Sequence, residues 1–372
     1  MRLQDNHNIQ QVRNTKRTQI NIRRIEKVNK MRMTKRERCL ATINGEKPDR
    51  IPYSMWSHMP QYDHDAEAIT QKTIAFYHDY DVDFIKTMNN GMYSIEDFGA
   101  VIDYSEVQKG GRALLVDSPI KKGEDWAKLS ETSLEKGALH RELLYLQMLL
   151  ESVKSDDVPV IFTVFSPITT ANKLCGGKLA QYLHSGFGQE LKKALEAITL
   201  TTEHLTAKAI ELGADGIFMA SQVSNYMTNE EEKISVEEYQ EFGKPYDIRV
   251  LNAANQAGGW LNALHCHGED IMFDIVKDYP VQVLNWHVWE TLPTIDEALS
   301  LTDKCIMGGL KRFDITNCNY NAIRHQIYEC CRVSKGKRLF LTPGCVIRYP
   351  LNSQMLSYVK KVKEEIEQAI VM

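Results

Sequence analysis

Short apolar runs alternate with longer amphipathic stretches along most of this chain. The runs at 158–167, 214–222, 259–267, 281–287, 305–310 and 338–345 are rich in Val, Ile, Leu, Phe and Met. Their length and near-continuous apolar character predict strands buried on both faces. Between them, apolar positions recur three and four residues apart at 142–152, 189–212, 236–257, 271–277, 295–301 and 319–332, with a closing stretch at 353–369. That spacing predicts helices with one buried side. Upstream, 34–43 predicts a short helix stopped by Asn44-Gly45, and Pro48 and Pro52 lead into an extended segment at 53–56. A helix at 66–78 and a strand at 82–88 follow. The region 89–130 reads as a long excursion with a hairpin around 113–116.

Eight strands, nearly all separated by helices, predict an α/β protein with a parallel sheet, and their number points to a (β/α)8 TIM barrel. The alternative, an open doubly wound sheet, calls for a glycine-rich turn after its first strand. Ser54-Met-Trp-Ser-His-Met has no glycine.

Charge divides the chain. Residues 1–38 hold twelve Lys and Arg against three Asp and Glu, whereas the remainder has 33 basic and 46 acidic residues. An acidic body argues against nucleic acid as the main partner. The leader, 1–32, is rich in Asn and Gln and poor in large apolar groups, so it is expected to be disordered. Its lack of interleaved aromatics speaks against an RNA- or membrane-binding arm, and its few Ser and Ala against a transit peptide. The functional chain is expected to begin near Met31 or Met33, ahead of the capping-box-like Thr34-Lys-Arg-Glu, with 33–372 as one domain. No run of eighteen apolar residues offers a membrane span. Eight cysteines without framework spacing read as reduced thiols in a cytoplasmic protein.

The chemistry gathers in two places. Gly259-Trp-Leu-Asn-Ala-Leu-His-Cys-His-Gly268 ends a strand in two histidines, and strand alternation turns His265 and His267 to one face and Cys266 to the other. Cys345, in Leu341-Thr-Pro-Gly-Cys345, ends the last strand. A barrel brings all strand ends to one rim, so His265, His267 and Cys345 make a three-ligand zinc site with an open fourth position. Cys266 is the substitute ligand if the strand bulges. The bland reading is two hydrogen-bonded histidines and a buried thiol. From the same rim, His287 is a candidate to orient a ligand or substrate, and Gln222 and Asn89 are candidates for substrate hydrogen bonds. Glu269 and Asp270 read as caps of the next helix. Trp56, Trp286 and Trp289 read as pocket walls or as core.

These residues resemble the uroporphyrinogen decarboxylase superfamily, over about 34–369. The resemblance rests on Arg36-Glu-Arg-Cys-Leu-Ala-Thr-Ile-Asn-Gly-Glu-Lys-Pro-Asp-Arg-Ile-Pro52, Gly213-Ala-Asp-Gly-Ile-Phe218, Leu264-His-Cys-His-Gly268, Met307-Gly-Gly-Leu310 and Pro343-Gly-Cys345. It implies either decarboxylation of a porphyrinogen or zinc-dependent methyl transfer between a corrinoid protein and a thiol. The decarboxylases carry an arginine-rich stretch near the first strand, where 52–62 has no Arg or Lys, and an aspartate where this chain has Asn89-Asn90. A polyanion would meet no bidentate cation in 52–62. The methyltransferases carry His-x-Cys and a final Cys, which His265-x-His267 and Cys345 resemble with one thiolate changed to imidazole. The resemblance therefore implies methyl transfer from a methyl-corrinoid on a partner protein to a small-molecule acceptor such as a thiol, with zinc as cofactor. Decarboxylation in porphyrin synthesis and a non-catalytic role beside a corrinoid protein are the alternatives. Superfamily members often pair, so a homodimer is a further expectation.

Overall fold

Seven of the apolar runs line up side by side in one parallel sheet. The computed structural model describes residues 33–109, 113–226 and 233–371, so the expectation for the leader lies outside the described residues. The strands in chain order are β1 (Ile85–Lys86), β2 (Val101–Asp103), β3 (Leu114–Asp117), β4 (Val160–Phe165), β5 (Gly216–Ser221), β6 (Ala263–Cys266), β7 (Val283–Trp286), β8 (Cys305–Leu310) and β9 (Leu339–Pro343). The sheet runs β1-β4-β5-β6-β7-β8-β9, and β2 and β3 form the separate hairpin expected from the sequence. Every residue of β4 through β9 is buried, as strands packed between an interior and a helical layer must be.

The first expected strand, at 53–56, is not a regular strand. It touches its neighbours through single parallel bridges, Tyr53 with Leu341 and Ser57 with Ile347. The Leu341 amide donates to Pro52 O at 2.9 Å, Ser54 N–H to Leu341 O at 3.1 Å, and Asp83 N–H to Tyr53 O at 2.8 Å. Proline offers no N–H, and the Ser54 and Ser57 hydroxyls bond the carbonyls of Phe84 and Ile347 where a ladder would otherwise run.

Helices begin where the sequence supplies caps. Thr34 and Glu37 close a capping box on Lys35–Ile43, and Ser166 caps Pro167–Leu174 with proline at its first position. The helix expected at 236–257 is instead two, Val236–Phe242 and Lys244–Gln256. Pro245 removes an amide inside the run. A Cβ at Gly243 would sit 2.6 Å from the Tyr239 ring, so the bend packs backbone against that aromatic. Glu269 and Asp270 do not cap a helix. The Asp270 backbone accepts from Tyr226 N–H at 2.7 Å and donates to Thr291 Oγ1 at 2.8 Å, and the next helix, Phe273–Val276, starts later without a side-chain cap.

At the N-terminal end of the sheet, carboxylates tie the elements together. Asp83 is fully buried and accepts from Arg38 at 2.7 Å, from Arg50 at 2.7 and 2.8 Å, and from Tyr53 N–H at 2.9 Å. Asp215, from the Gly213-Ala-Asp-Gly motif, pairs with Arg36 and accepts from Val160 N–H and Trp260 Nε1, both at 2.9 Å. Both motifs thus serve the floor of the molecule and leave the opposite rim to chemistry. None of the described helices is long and apolar enough to cross a membrane.

Candidate metal centre

Strand pairing brings the rim residues together. His265 on β6 stands beside Asn285 on β7 in the parallel register, so the residues two further on, His267 and His287, are also neighbours. Cys345 arrives from the turn after β9. A Cβ on Gly344 would lie 2.7 Å from Trp286 O and 2.9 Å from His287 Cα, so only glycine lets this turn press against β7.

The result is a cluster of His265, His267, His287 and Cys345, each offering one donor atom within 4.8 Å of the others. The ring centroids of His267 and His287 are 5.0 Å apart, and Cys345 Sγ lies 3.5 Å from His267 Nδ1. Two rings are oriented from behind. Asn285 Oδ1 accepts from His265 Nδ1 at 2.6 Å, and the Asn285 amide is itself held by Met307 O at 2.7 Å. The Glu290 carboxylate accepts from His287 Nδ1 at 2.9 Å. That assignment leaves each Nε2 with a free lone pair. Among the described residues, Nε2 of His287 is buried without a hydrogen-bond partner.

Burial, followed by the neighbouring imidazoles, pushes His265 well below its ordinary pKa. Burial, followed by Arg312 in one case and His267 in the other, takes His267 to about 4 and His287 to about 3. All three are neutral at pH 7, the form that can ligate. Burial raises the Cys345 thiol, and Arg312, Lys86 and Arg348 pull it back. Three imidazoles, one thiol and an orphaned buried nitrogen fit a zinc-type donor set.

Of the expected site residues, His265, His267 and Cys345 come together, and His287 joins them within donor distance where the sequence suggested a supporting role. Cys266 lies on the outer face, near Ser224 and Asp247. Gln222 and Asn89 both line the adjoining cavity of about 380 Å³. The Asn89 amide is tied to Glu142 at 2.6 Å, and its oxygen accepts from Thr87 at 2.5 Å. Among the tryptophans, Trp56 walls the cavity. Trp286 packs outward on Phe273, and Trp289 bonds Gly309 O at 2.8 Å.

The cations of the cavity come from separate stretches of the chain. Residues 52–62 lack Arg and Lys as noted, yet Lys86, Arg312 and Arg348 line the same cavity from other elements. Burial takes Lys86 down to about 7. A lysine inside a buried apolar strand is rare enough to have been a signal.

The family model for uroporphyrinogen decarboxylase (URO-D) matches residues 34–364. The chain belongs to this family. A comparison with curated proteins finds no match. Among solved structures, a methyltransferase from Methanosarcina mazei superimposes with a TM-score of 0.77 at 18% identity, covering 90% of this chain and 99% of that one. A B12-independent methionine synthase from Shewanella sp. W3-18-1, in complex with selenomethionine, gives 0.52 at 10% identity over 87% and 96% of the two chains. At these identities the likeness is one of fold: the URO-D chain shares a curled, helix-covered parallel sheet with both.

Proposed function

We propose that this URO-D family chain is a zinc-dependent methyltransferase that moves a methyl group from a methyl-corrinoid on a partner protein to a thiol or similar small acceptor. The observation that carries the reading is the convergence of four donor atoms within 4.8 Å, two of their rings held from behind, beside a cavity that His265, His267 and Cys345 help to line. His265, His267 and Cys345 would hold the ion, with His287 as a fourth donor that an incoming acceptor can replace. Bound there, zinc lowers the pKa of an acceptor thiol so that it is a nucleophile at neutral pH, the more so with a single thiolate among its donors.

The remaining work falls to the chain itself. Asn285 and Glu290 keep the Nδ1 protons of His265 and His287 and so aim their Nε2 atoms. Trp56 and Phe218 wall the cavity and limit water. The Gln222 side chain has no partner among the described residues and is free to bond the acceptor, whereas Asn89 holds the wall through Glu142. In this reading 52–57 acts as the eighth stave of a (β/α)8 barrel, 33–372 form one domain, and the donor protein docks over the rim. Eight free thiols support a cytoplasmic setting.

Metal analysis of the wild type beside His265→Ala and Cys345→Ala is the test, coupled to methyl transfer from methylcobalamin to a thiol. One equivalent of zinc in the wild type, lost in both variants together with transfer, is expected. A wild-type protein that turns over without metal would sink the proposal. The cations of the cavity favour a second reading, a URO-D-type decarboxylation of an acidic substrate. It predicts carbon dioxide release that survives a chelator.

A further inference from the structure

Lys86 stands where a strand buried on both faces calls for an apolar side chain. It ends β1, opposite Ile161 of β4, and strand alternation turns it to the side of Phe84, whose ring meets Phe340 of β9 at 5.7 Å. It is 6% exposed. Its Nζ lies 4.7 Å from the Phe218 ring centroid and 5.7 Å from that of Trp56, and donates to Thr87 O at 3.2 Å. Among the described residues no carboxylate pairs with it, and no Asp or Glu lines the cavity that it borders. Lys173 makes the contrast. Its Nζ is closed in by Gly91 O at 2.6 Å and by the Phe165 ring centroid at 3.1 Å, away from the cavity lining.

An ammonium between aromatic walls, with no counter-ion, loses more solvation than one carbonyl returns, so the neutral amine is favoured. Burial takes Lys86 down to about 7, with Cys345 opposing it, and the imidazoles of His58 and His265 that interact with it are neutral. A divalent cation at the neighbouring donors would press it further the same way. A neutral primary amine in an apolar pocket is a nucleophile toward carbonyl carbon. We propose that Lys86 is a covalent site for a small aldehyde or ketone, held in this cavity as an imine. The nitrogen lone pair adds to the carbonyl carbon as the C–O π bond opens, and one proton passes from nitrogen to oxygen. The carbinolamine then loses that oxygen as water, together with the second nitrogen proton, and a C=N bond remains. Nothing is oxidised or reduced, and water reverses the step. His58 lines the same cavity with Nδ1 donating to Asn89 O at 3.1 Å, so its Nε2 keeps a lone pair for the proton in transit. Trp56 and Phe218 favour an apolar substituent on the carbonyl, within a volume of about 380 Å³. The imine needs neither the metal nor the corrinoid of the proposed function.

The experiment treats the purified full chain with limiting propanal and sodium cyanoborohydride at pH 7 and locates the propyl groups by peptide mass spectrometry. Exposed lysines, with pKa values of about 10.4, and the chain's own amino terminus, near 8, are internal references. Lys86 is expected to be alkylated roughly ten-fold faster than the exposed lysines or more, an advantage that shrinks as pH rises toward 10. Without reductant no adduct should survive dilution, and Lys86→Met should lose this modification alone. The site-resolved reading in the wild type carries the test if that variant folds poorly. Lys86 recovered unmodified from the folded chain, or modified no faster than exposed lysines, overturns the proposal. So does a Lys86 that takes an acetyl group from acetic anhydride and no propyl group from propanal. The labelling is repeated after chelator treatment and after zinc loading. A fast Lys86 adduct in a chain that holds no zinc would leave the imine site standing and bring down the methyltransferase reading, and zinc with no adduct would do the reverse.

Discussion

The two ends of the sheet treat buried charge in opposite ways. At the N-terminal end two buried carboxylates are fully answered: Asp83 takes two guanidiniums and an amide, and Asp215 takes a guanidinium, an indole and an amide. At the C-terminal rim, among the described residues, His287 keeps a buried nitrogen without a partner, Arg312 a buried Nε likewise, and Lys86 has a backbone carbonyl and two aromatic faces but no carboxylate. Satisfied polar groups hold a fold in place, whereas unsatisfied ones at comparable burial cost stability and point to something that completes them. In this URO-D chain buried charge is paired at the floor and left open at the rim.

The largest expected effect comes from breaking the floor. Asp83→Ala leaves Arg38 and Arg50 without their shared carboxylate and should destabilise the fold by about 3–5 kcal/mol in chemical denaturation, the usual cost of removing one partner of a buried pair. Arg312→Gln at the rim should leave the same measurement within about 1 kcal/mol or raise it. If the two variants were equally destabilising, the contrast between the ends would be lost. Next, chelation of the metal-loaded protein should lower its stability by about 4 kcal/mol at a free metal concentration a thousand times the dissociation constant. The drop should vanish in His265→Ala and Cys345→Ala. A smaller effect is expected behind the donors: Glu290→Gln and Asn285→Ala should each weaken metal binding by roughly 10–100-fold in a competition titration while keeping the site.

A pH-dependent effect sharpens the comparison at the outer face of β6. Burial raises the Asp247 carboxyl to about 7, and it meets Tyr239, Tyr279 and Cys266 there. Its folded pKa exceeds its unfolded one, so its contribution is complete below about 4 and is lost as pH rises toward 7. The stability of the wild type relative to Asp247→Asn should therefore fall between those values and stay level above them, as read from urea denaturation at a series of pH values.

Much of this was legible in the sequence. Apolar run lengths located β4 to β9 closely, because a strand buried on both faces admits few polar residues. Alternation in the His265-x-His267 strand likewise located its two faces. The first strand falls short of a regular one because it keeps only isolated backbone bonds to its neighbours, with Pro52 bringing no N–H and the Ser54 and Ser57 hydroxyls taking further carbonyls, which an apolar run cannot reveal. His287 as a donor was harder: it required knowing that Asn285 pairs with His265, a register that only the folded sheet supplies. The cations stayed hidden because Lys86, Arg312 and Arg348 are far apart in the chain and each looks ordinary alone.

The parity of β6 has a practical outcome for engineering. Exchanging Ala263 for another small residue alters one contact, whereas inserting a single residue between Asn262 and His265 turns both imidazoles into the helical layer and brings the Cys266 sulfur inward. Composition would be almost unchanged and the four donor atoms dispersed, so a length change in this stretch separates having these residues from having them in place.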